Sequence, residues 1–167
     1  MSAPSLSTPS RVGPAAPDLR GYRPGQSLMA QARVLADADD ATLAALAEAG
    51  VPAVLARDLG RALDIAPRHF FREILGTNRS AAEKKSFTDA PLPAAAGRVA
   101  LALLRLLAQA EALHGGGPGF DVARWLGRWI GQPQDGLQGR CPAALLGSDE
   151  GAAAVRAMME GQAGRPG

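Results

Sequence analysis

The chain has 167 residues, enough for one domain of ordinary size or a small domain plus tails. It is rich in alanine and leucine and only 4% aromatic, a balance that favours helix over sheet, and its formal charge of +2 excludes a polycation. A single cysteine, Cys141, excludes an intramolecular disulfide and a Cys-rich zinc site and fits a reducing, cytoplasmic setting.

Residues 1–30 hold five prolines, five serines and three glycines. Few side chains there can bury apolar area, so this stretch reads as a flexible, disordered arm. No apolar core of signal-peptide type is present near the N-terminus. Asp40 is the expected cap of a helix over Ala41–Glu48 that Gly50 ends. Pro52 then sits at a first-turn position, and Val54, Leu55, Leu59, Ala62 and Leu63 repeat with helical spacing. Pro67 opens a further helix with Phe70, Phe71, Ile74 and Leu75 on one apolar face and Gly76 as its terminator. Asn78 is a good cap for a short helix over Arg79–Lys85.

Charge is uneven along this half. From Gln31 to Gly60 two arginines face five acids; from Arg61 to Lys85 six basic residues face three acids. Such a local patch suits a phosphate-bearing partner, although a solvated surface gives the same pattern.

Pro91 and Pro93 break the chain. The longest predicted helix follows, about Ala94 to His114, with Arg98, Arg105 and Gln109 as one narrow polar stripe and Glu111 off it. A helix apolar on nearly all sides is buried among neighbours or in an oligomer interface. Its longest apolar stretch, Val99 to Leu113, is too short and too polar to cross a bilayer. Gly115–Gly119 reads as a connector. A helix over Asp121–Ile130 pairs Trp125 with Trp129. Pro133–Gly139 reads as loop, Pro142 starts a short helix to Leu146, and Ser148 or Asp149 caps a last helix to about Glu160. Residues 161–167 read as irregular.

Three features invite a functional reading. Pro67–Lys85 has the layout of a helix-turn-helix with a Gly-containing turn. Its second helix would offer Asn78, Arg79, Ser80, Lys84 and Lys85 to DNA, the first residues toward base edges and the lysines toward phosphates. An ordinary helical hairpin is the plainer alternative. Trp125 and Trp129 suit either a binding hot spot or the core, with Trp129, next to Ile130, the better core residue. Gly139-Arg140-Cys141-Pro142 is a turn into a Pro-started helix, or a place where Arg140 meets an anionic group on a partner; Arg140 could equally bond carbonyls of its own loop. Catalytic readings are weak. His69 and His114 stand alone, Cys141 has no evident base or orienting group, and Gly115–Gly119 lacks the Lys-Ser/Thr of a phosphate loop.

The order of elements matters more than any one of them. A Pro-opened helix pair precedes a long apolar helix, then Trp-Ile-x-x-Pro, Leu-x-Gly-Arg-x-Pro-x-x-x-Leu, and a last helix with Gly and Val. This resembles the Xre/MbcA/ParS toxin-binding antitoxins over about Gly50 to Gly161. The family's pattern falls on Trp129, Ile130, Pro133, Leu137, Gly139, Arg140, Pro142, Leu146, Gly151 and Val155. The resemblance implies an all-α fold: an Xre-like helix-turn-helix bundle over 31–93, then a helical toxin-binding domain over 94–167, after the arm over 1–30.

It implies a non-enzymatic antitoxin without a cofactor, whose partner is a RES-type, NAD-degrading toxin. Arg140, Pro142, Leu146, Arg156, Met159, Gln162 and Arg165 are the implied toxin-binding residues, with the tail near the toxin's nucleotide pocket. Promoter DNA and self-association as a dimer or higher assembly are further implied partners; a membrane is not. The family usually has an apolar residue after the turn glycine and a Leu in an Arg-rich recognition helix. Thr77 stands after Gly76 here, and Ala81, Ala82 and Glu83 occupy the helix. A stand-alone helix-turn-helix regulator is the alternative reading, and a small-molecule enzyme of no named class the third.

Overall fold

The structure, a computed structural model, describes residues 19–77, 90–115 and 117–163. Among these residues it is helical, with no strand beyond two isolated bridges. In chain order the helices are α1 (Leu28–Leu35), α2 (Asp40–Ala49), α3 (Ala53–Ala62), α4 (Pro67–His69), α5 (Ala94–His114), α6 (Val122–Trp129) and α7 (Asp149–Ala163). The all-helical expectation is met.

Helix α5 is the axis of the molecule. Helices α1, α2, α3, α6 and α7 all pack on it. Leu101, Leu103, Leu104, Leu106 and Leu107, pointing in several directions, are all buried, as a helix apolar on nearly all sides requires. Its polar stripe is spent on neighbours. Arg98 pairs with Asp149 at the start of α7, and Gln109 Nε2 donates to the Arg156 carbonyl at 3.0 Å. Glu111, off the stripe, pairs with Arg33 of α1.

Three local details differ from the expectation. Asp39, not Asp40, caps α2: its carboxylate accepts from the Thr42 N–H at 2.7 Å. Asp40 is thereby free to accept from Arg105. Helix α4 widens after one turn into a π-helical turn over Phe70–Ile74, closed by the Leu75 N–H donating to the Phe70 carbonyl at 2.9 Å. All four apolar side chains remain buried, and Gly76, at φ +69°, ends the element as expected. Finally, α7 runs on to Ala163, past the irregular start expected at Gly161, and Ser148 is its cap through the Gly151 N–H at 3.0 Å.

The arm read over residues 1–30 lies outside the described residues up to residue 18. Beyond it, Leu19 and Tyr22 are buried, and the Tyr22 hydroxyl donates to Asp58 Oδ2 of α3 at 2.7 Å. The short helix expected at Arg79–Lys85 lies outside the described residues, as do Asn78, Lys84 and Lys85. The chain returns at Ala90, where the Leu92 N–H donates to the Val51 carbonyl at 2.8 Å and ties the entry of α5 to the α2–α3 corner.

Candidate functional site

The segment from α6 to α7 folds around one loop. Asp121 caps α6 by accepting from the Arg124 N–H at 3.1 Å, and Leu126, Trp129 and Ile130 turn inward. The chain then closes on itself. The Gln134 N–H donates to the Arg140 carbonyl at 3.1 Å, and the Gly139 N–H donates to the Gln134 carbonyl at 2.9 Å. Between them lies a 3₁₀ turn over Asp135–Leu137 whose Leu137 is 8% exposed and pins the loop to the core. Two consecutive residues, Gln138 at φ +59° and Gly139 at φ +76°, reverse the chain. Glycine tolerates this region at no steric cost; glutamine does not. The loop therefore stores a little backbone strain that its internal bonds must hold.

Past the loop, Pro142 opens a 3₁₀ turn to Leu145, and the Ala143 N–H donates back to the Ile130 carbonyl at 3.0 Å. The Cys141 thiol donates to the Gly131 carbonyl at 3.5 Å. Helix α7 then crosses the loop. Met158 covers Gly136 so closely that a Cβ there would meet its terminal methyl.

The residues nominated from the sequence separate into two groups. Pro142, Leu146 and Met159 are buried, and each packs within this chain. Arg140 is exposed, and its guanidinium makes no hydrogen bond or ion pair among the described residues, not even to its own loop. Arg156 is half-buried, with its Nε enclosed and without a hydrogen-bond partner among the described residues. Gln162 is exposed but engaged, accepting from the Trp129 indole N–H at 2.9 Å. Arg165 lies outside the described residues. Trp129 is a core residue at 6% exposure. Trp125 is half-buried and stacks on it with ring centroids 5.9 Å apart, and the His114 ring lies tilted against Trp125 at 4.8 Å.

Among the described residues, depressions also occur away from this loop. One of about 540 Å³ lies between the α3 end and α6, where Arg124 pairs with Asp64 at 3.2 Å beside an exposed Arg128. Another, about 300 Å³, is lined by Ala66, Arg68, His69, Arg72 and Glu73 of the α4 turn. No cluster of three or more His, Cys, Asp or Glu side chains with metal-holding geometry occurs among the described residues. No described helix is long and apolar enough to cross a membrane.

Comparison with known proteins places this loop. Residues 109–164 match the model of the antitoxin Xre/MbcA/ParS C-terminal toxin-binding domain. The chain is also 34% identical over 118 residues to the Prs ADP-ribosylating antitoxin of Sphingobium sp. (strain YBL2), covering 66% of this chain and 74% of that one. The chain belongs to the Xre/MbcA/ParS antitoxin family. It is accordingly a toxin-binding antitoxin of a toxin–antitoxin system. No solved structure matches it at a significant level.

The structure explains why the family pattern has these residue types. Ile130 and Val155 are fully buried, and Leu146 nearly so. Gly139 supplies the left-handed residue, and Gly151 sits where any Cβ would run into the Leu145 carbonyl oxygen. Among the described pattern residues Arg140 alone is both exposed and charged. The antitoxin pattern is therefore mostly a recipe for the loop, and Arg140 is what the loop displays.

Proposed function

We propose that this antitoxin neutralises a RES-fold, NAD-consuming toxin by seating the Gln134–Cys141 loop and the end of α7 over the toxin's active-site mouth, without chemistry of its own. The observation that carries this reading is Arg140: exposed, unpartnered among the described residues, and held on a loop closed by its own backbone. A preorganised arginine suits a bidentate contact with carboxylate or phosphate groups at a nucleotide pocket. The name of the Sphingobium relative points the same way, since ADP-ribosylation takes its ADP-ribose from NAD. Arg156 and Arg165 extend the contact toward the tail, and Gln162 belongs to the same surface with its amide engaged by Trp129 and Gln134. Pro142, Leu146 and Met159 serve it by holding the surface in shape.

The test is NAD consumption by the toxin of the adjoining reading frame. Stoichiometric antitoxin should stop it, the antitoxin alone should consume none, and Arg140→Glu should restore NAD loss. Undiminished consumption by toxin saturated with this chain overturns the reading. Adding the acceptor protein separates simple NAD hydrolysis from ADP-ribosyl transfer.

We further propose promoter binding through Asn78, Arg79, Ser80, Lys84 and Lys85, in a cytoplasmic dimer or higher assembly. Its support is the turn at Gly76–Thr77, where the Thr77 N–H donates to the Phe71 carbonyl at 2.7 Å and ends the first helix of the pair. Exposed Arg68 and Arg72 lie on that same helix. Exposed Val34, Leu113 and Phe120 offer apolar contact for self-association. Lys84→Ala with Lys85→Ala should weaken binding on all sequences and reduce its salt dependence by up to ~2 phosphate contacts. Absence of promoter binding by the wild-type chain at low salt removes the DNA role.

A further inference from the structure

Trp129 is nearly buried, and an indole N–H can only donate. Gln162 meets it with Oε1 at 2.9 Å, which turns the Gln162 NH₂ outward. That NH₂ donates to Gln134 Oε1 at 3.2 Å, and the Gln134 NH₂ donates to the Gln132 carbonyl at 3.3 Å. The direction of every bond follows from the buried end: because the indole has no lone pair to offer, both amides have one allowed orientation.

This relay joins α6, the end of α7 and the neck of the Arg140 loop. Gln134 is the junction. Its side chain ends the link from α7, while its backbone makes the two bonds that close the loop on Gly139 and Arg140. Met158 on Gly136 adds an apolar contact between the same two segments.

We infer that Gln162 and Gln134 are positioning residues that lock the end of α7 to the Arg140 loop, so that the toxin meets both as one preformed surface. The inference rests on the toxin-binding reading above. Gln162 is exposed and Gln134 half-buried, and bonds between neutral amides in that setting add little net stability. Helix α7 is held by buried Ala152, Val155 and Met159, so the fold does not need the relay. The relay instead removes freedom. Two contact regions that move independently must each be ordered on binding, and coupling them beforehand lowers that cost.

The test uses the full-length chain. Gln162→Met keeps the side-chain length but offers no hydrogen bond. It should fold with unchanged helix content, speed exchange of the Trp129 indole N–H and of the Gly139 and Arg140 amides, and dissociate from the toxin about tenfold faster. Gln162→Glu keeps the acceptor for Trp129 and should restore indole protection and part of the residence time. Gln134→Met leaves Trp129 capped and should loosen the loop in the same way, which keeps the test sound if Gln162→Met folds poorly. Wild-type loop exchange or a wild-type dissociation rate in both methionine variants overturns the positioning role while leaving toxin binding intact. A wild-type chain that does not bind the toxin overturns the toxin reading and the relay's role with it.

Discussion

Arg105 extends from the middle of α5 and donates to Asp40 Oδ1 at 3.0 Å and to the Ala38 carbonyl at 3.1 Å. Its side chain is 3% exposed, whereas that of Asp40 is 45% exposed. The pair is lopsided: one charge is buried and the other keeps its water. Removing the buried member leaves a cavity and an unpaired Ala38 carbonyl, while Asp40 simply resolvates. Arg105→Ala is expected to cost about 2–4 kcal/mol. Arg105→Met fills the space without the charge and should cost less. Asp40→Ala leaves the buried guanidinium without its counter-charge and should cost more than Arg105→Met, which removes the charge as well. Urea unfolding midpoints at constant slope check the order. An Arg105→Met variant as unstable as Arg105→Ala would show that the hydrogen bonds, not the volume, hold the α1–α2 corner.

Two glycines mark where backbones touch. A Cβ on Gly127 would collide with the Leu63 carbonyl oxygen, and one on Gly151 with the Leu145 carbonyl oxygen. Main chain cannot yield without moving a helix, so Gly127→Ala and Gly151→Ala are each expected to lose about 1–3 kcal/mol despite alanine's better helix propensity. Gly136 differs, because its neighbour is the flexible end of Met158. Gly136→Ala should cost under about 1 kcal/mol, as methionine repacks readily. Thermal unfolding of the three variants separates backbone from side-chain obstruction. Equal losses at all three positions would contradict it.

Much of this arrangement is legible in the residue order. Pro52, Pro67, Pro93 and Pro142 each stand at the start of an element, and Gly50 and Gly76 at the end of one, because proline lacks the donor a helix interior needs and glycine accepts positive φ. The span of α5 follows from its continuous apolar character. What escapes sequence reading depends on partners remote in the chain. Asp39 and Asp40 are equivalent as caps until Arg105, far along the sequence, claims Asp40. The π-turn leaves the apolar spacing of Phe70, Phe71, Ile74 and Leu75 almost unchanged, so no pattern announces it. Gln162 reads as a solvent-facing contact residue, and only the position of Trp129 shows that one end of its amide faces inward. The turn that carries Arg140 is legible from its Gly and Pro spacing, whereas the choice between a bond to its own loop and an open guanidinium is not, because it depends on where the neighbouring carbonyls point.

Tyr22 is the chain's one tyrosine, and burial pushes its hydroxyl well above the ordinary value of 10.0, reinforced by its hydrogen bond to Asp58. The folded chain therefore holds this proton more tightly than the unfolded chain. The resulting stability is fully present below pH 10.0 and is lost as the pH rises from there toward the folded value. Tyrosinate absorbance should stay flat past the normal titration range, then rise together with loss of helix. Tyr22→Phe should flatten this alkaline dependence while costing about 1–2 kcal/mol at neutral pH through the lost bond to a charged group. Normal titration of the hydroxyl in the folded chain would detach Tyr22 from α3.

At the acid end the sign is reversed. The hydrogen bonds from Thr42 hold the Asp39 carboxyl below its usual range, and the Arg33 guanidinium does the same for Glu111. Both carboxylates are thus more acidic folded than unfolded. Their contribution is present above the unfolded values and is lost as the pH falls through the lower folded ones. Asp39→Asn keeps a capping oxygen without the charge and should weaken the acid dependence while preserving α2. Glu111→Gln should do so more strongly at low salt than at high salt, since an exposed pair is screened. Acid titrations followed by circular dichroism at two ionic strengths distinguish them. A salt-independent Glu111→Gln effect would rule out the Arg33 pairing as its source.

Truncation at the C-terminus separates the tail from the surface that bears it. Ending the chain after Ala163 removes Arg165 but leaves Gln162 and the bond to Trp129 in place. Ending it after Met159 removes Gln162 as well, and leaves the Trp129 indole N–H with no acceptor from α7. If the tail reaches the toxin's nucleotide pocket, the first truncation should still bind toxin but allow NAD loss to resume. The second should also bind more weakly, with faster exchange in the Arg140 loop, because the surface itself has loosened. Helix content should fall by no more than the residues removed, since Val155 and Met159 remain to anchor α7. Full inhibition by the chain ending at Ala163 would assign the blocking role to the Arg140 loop and the end of α7, without the tail.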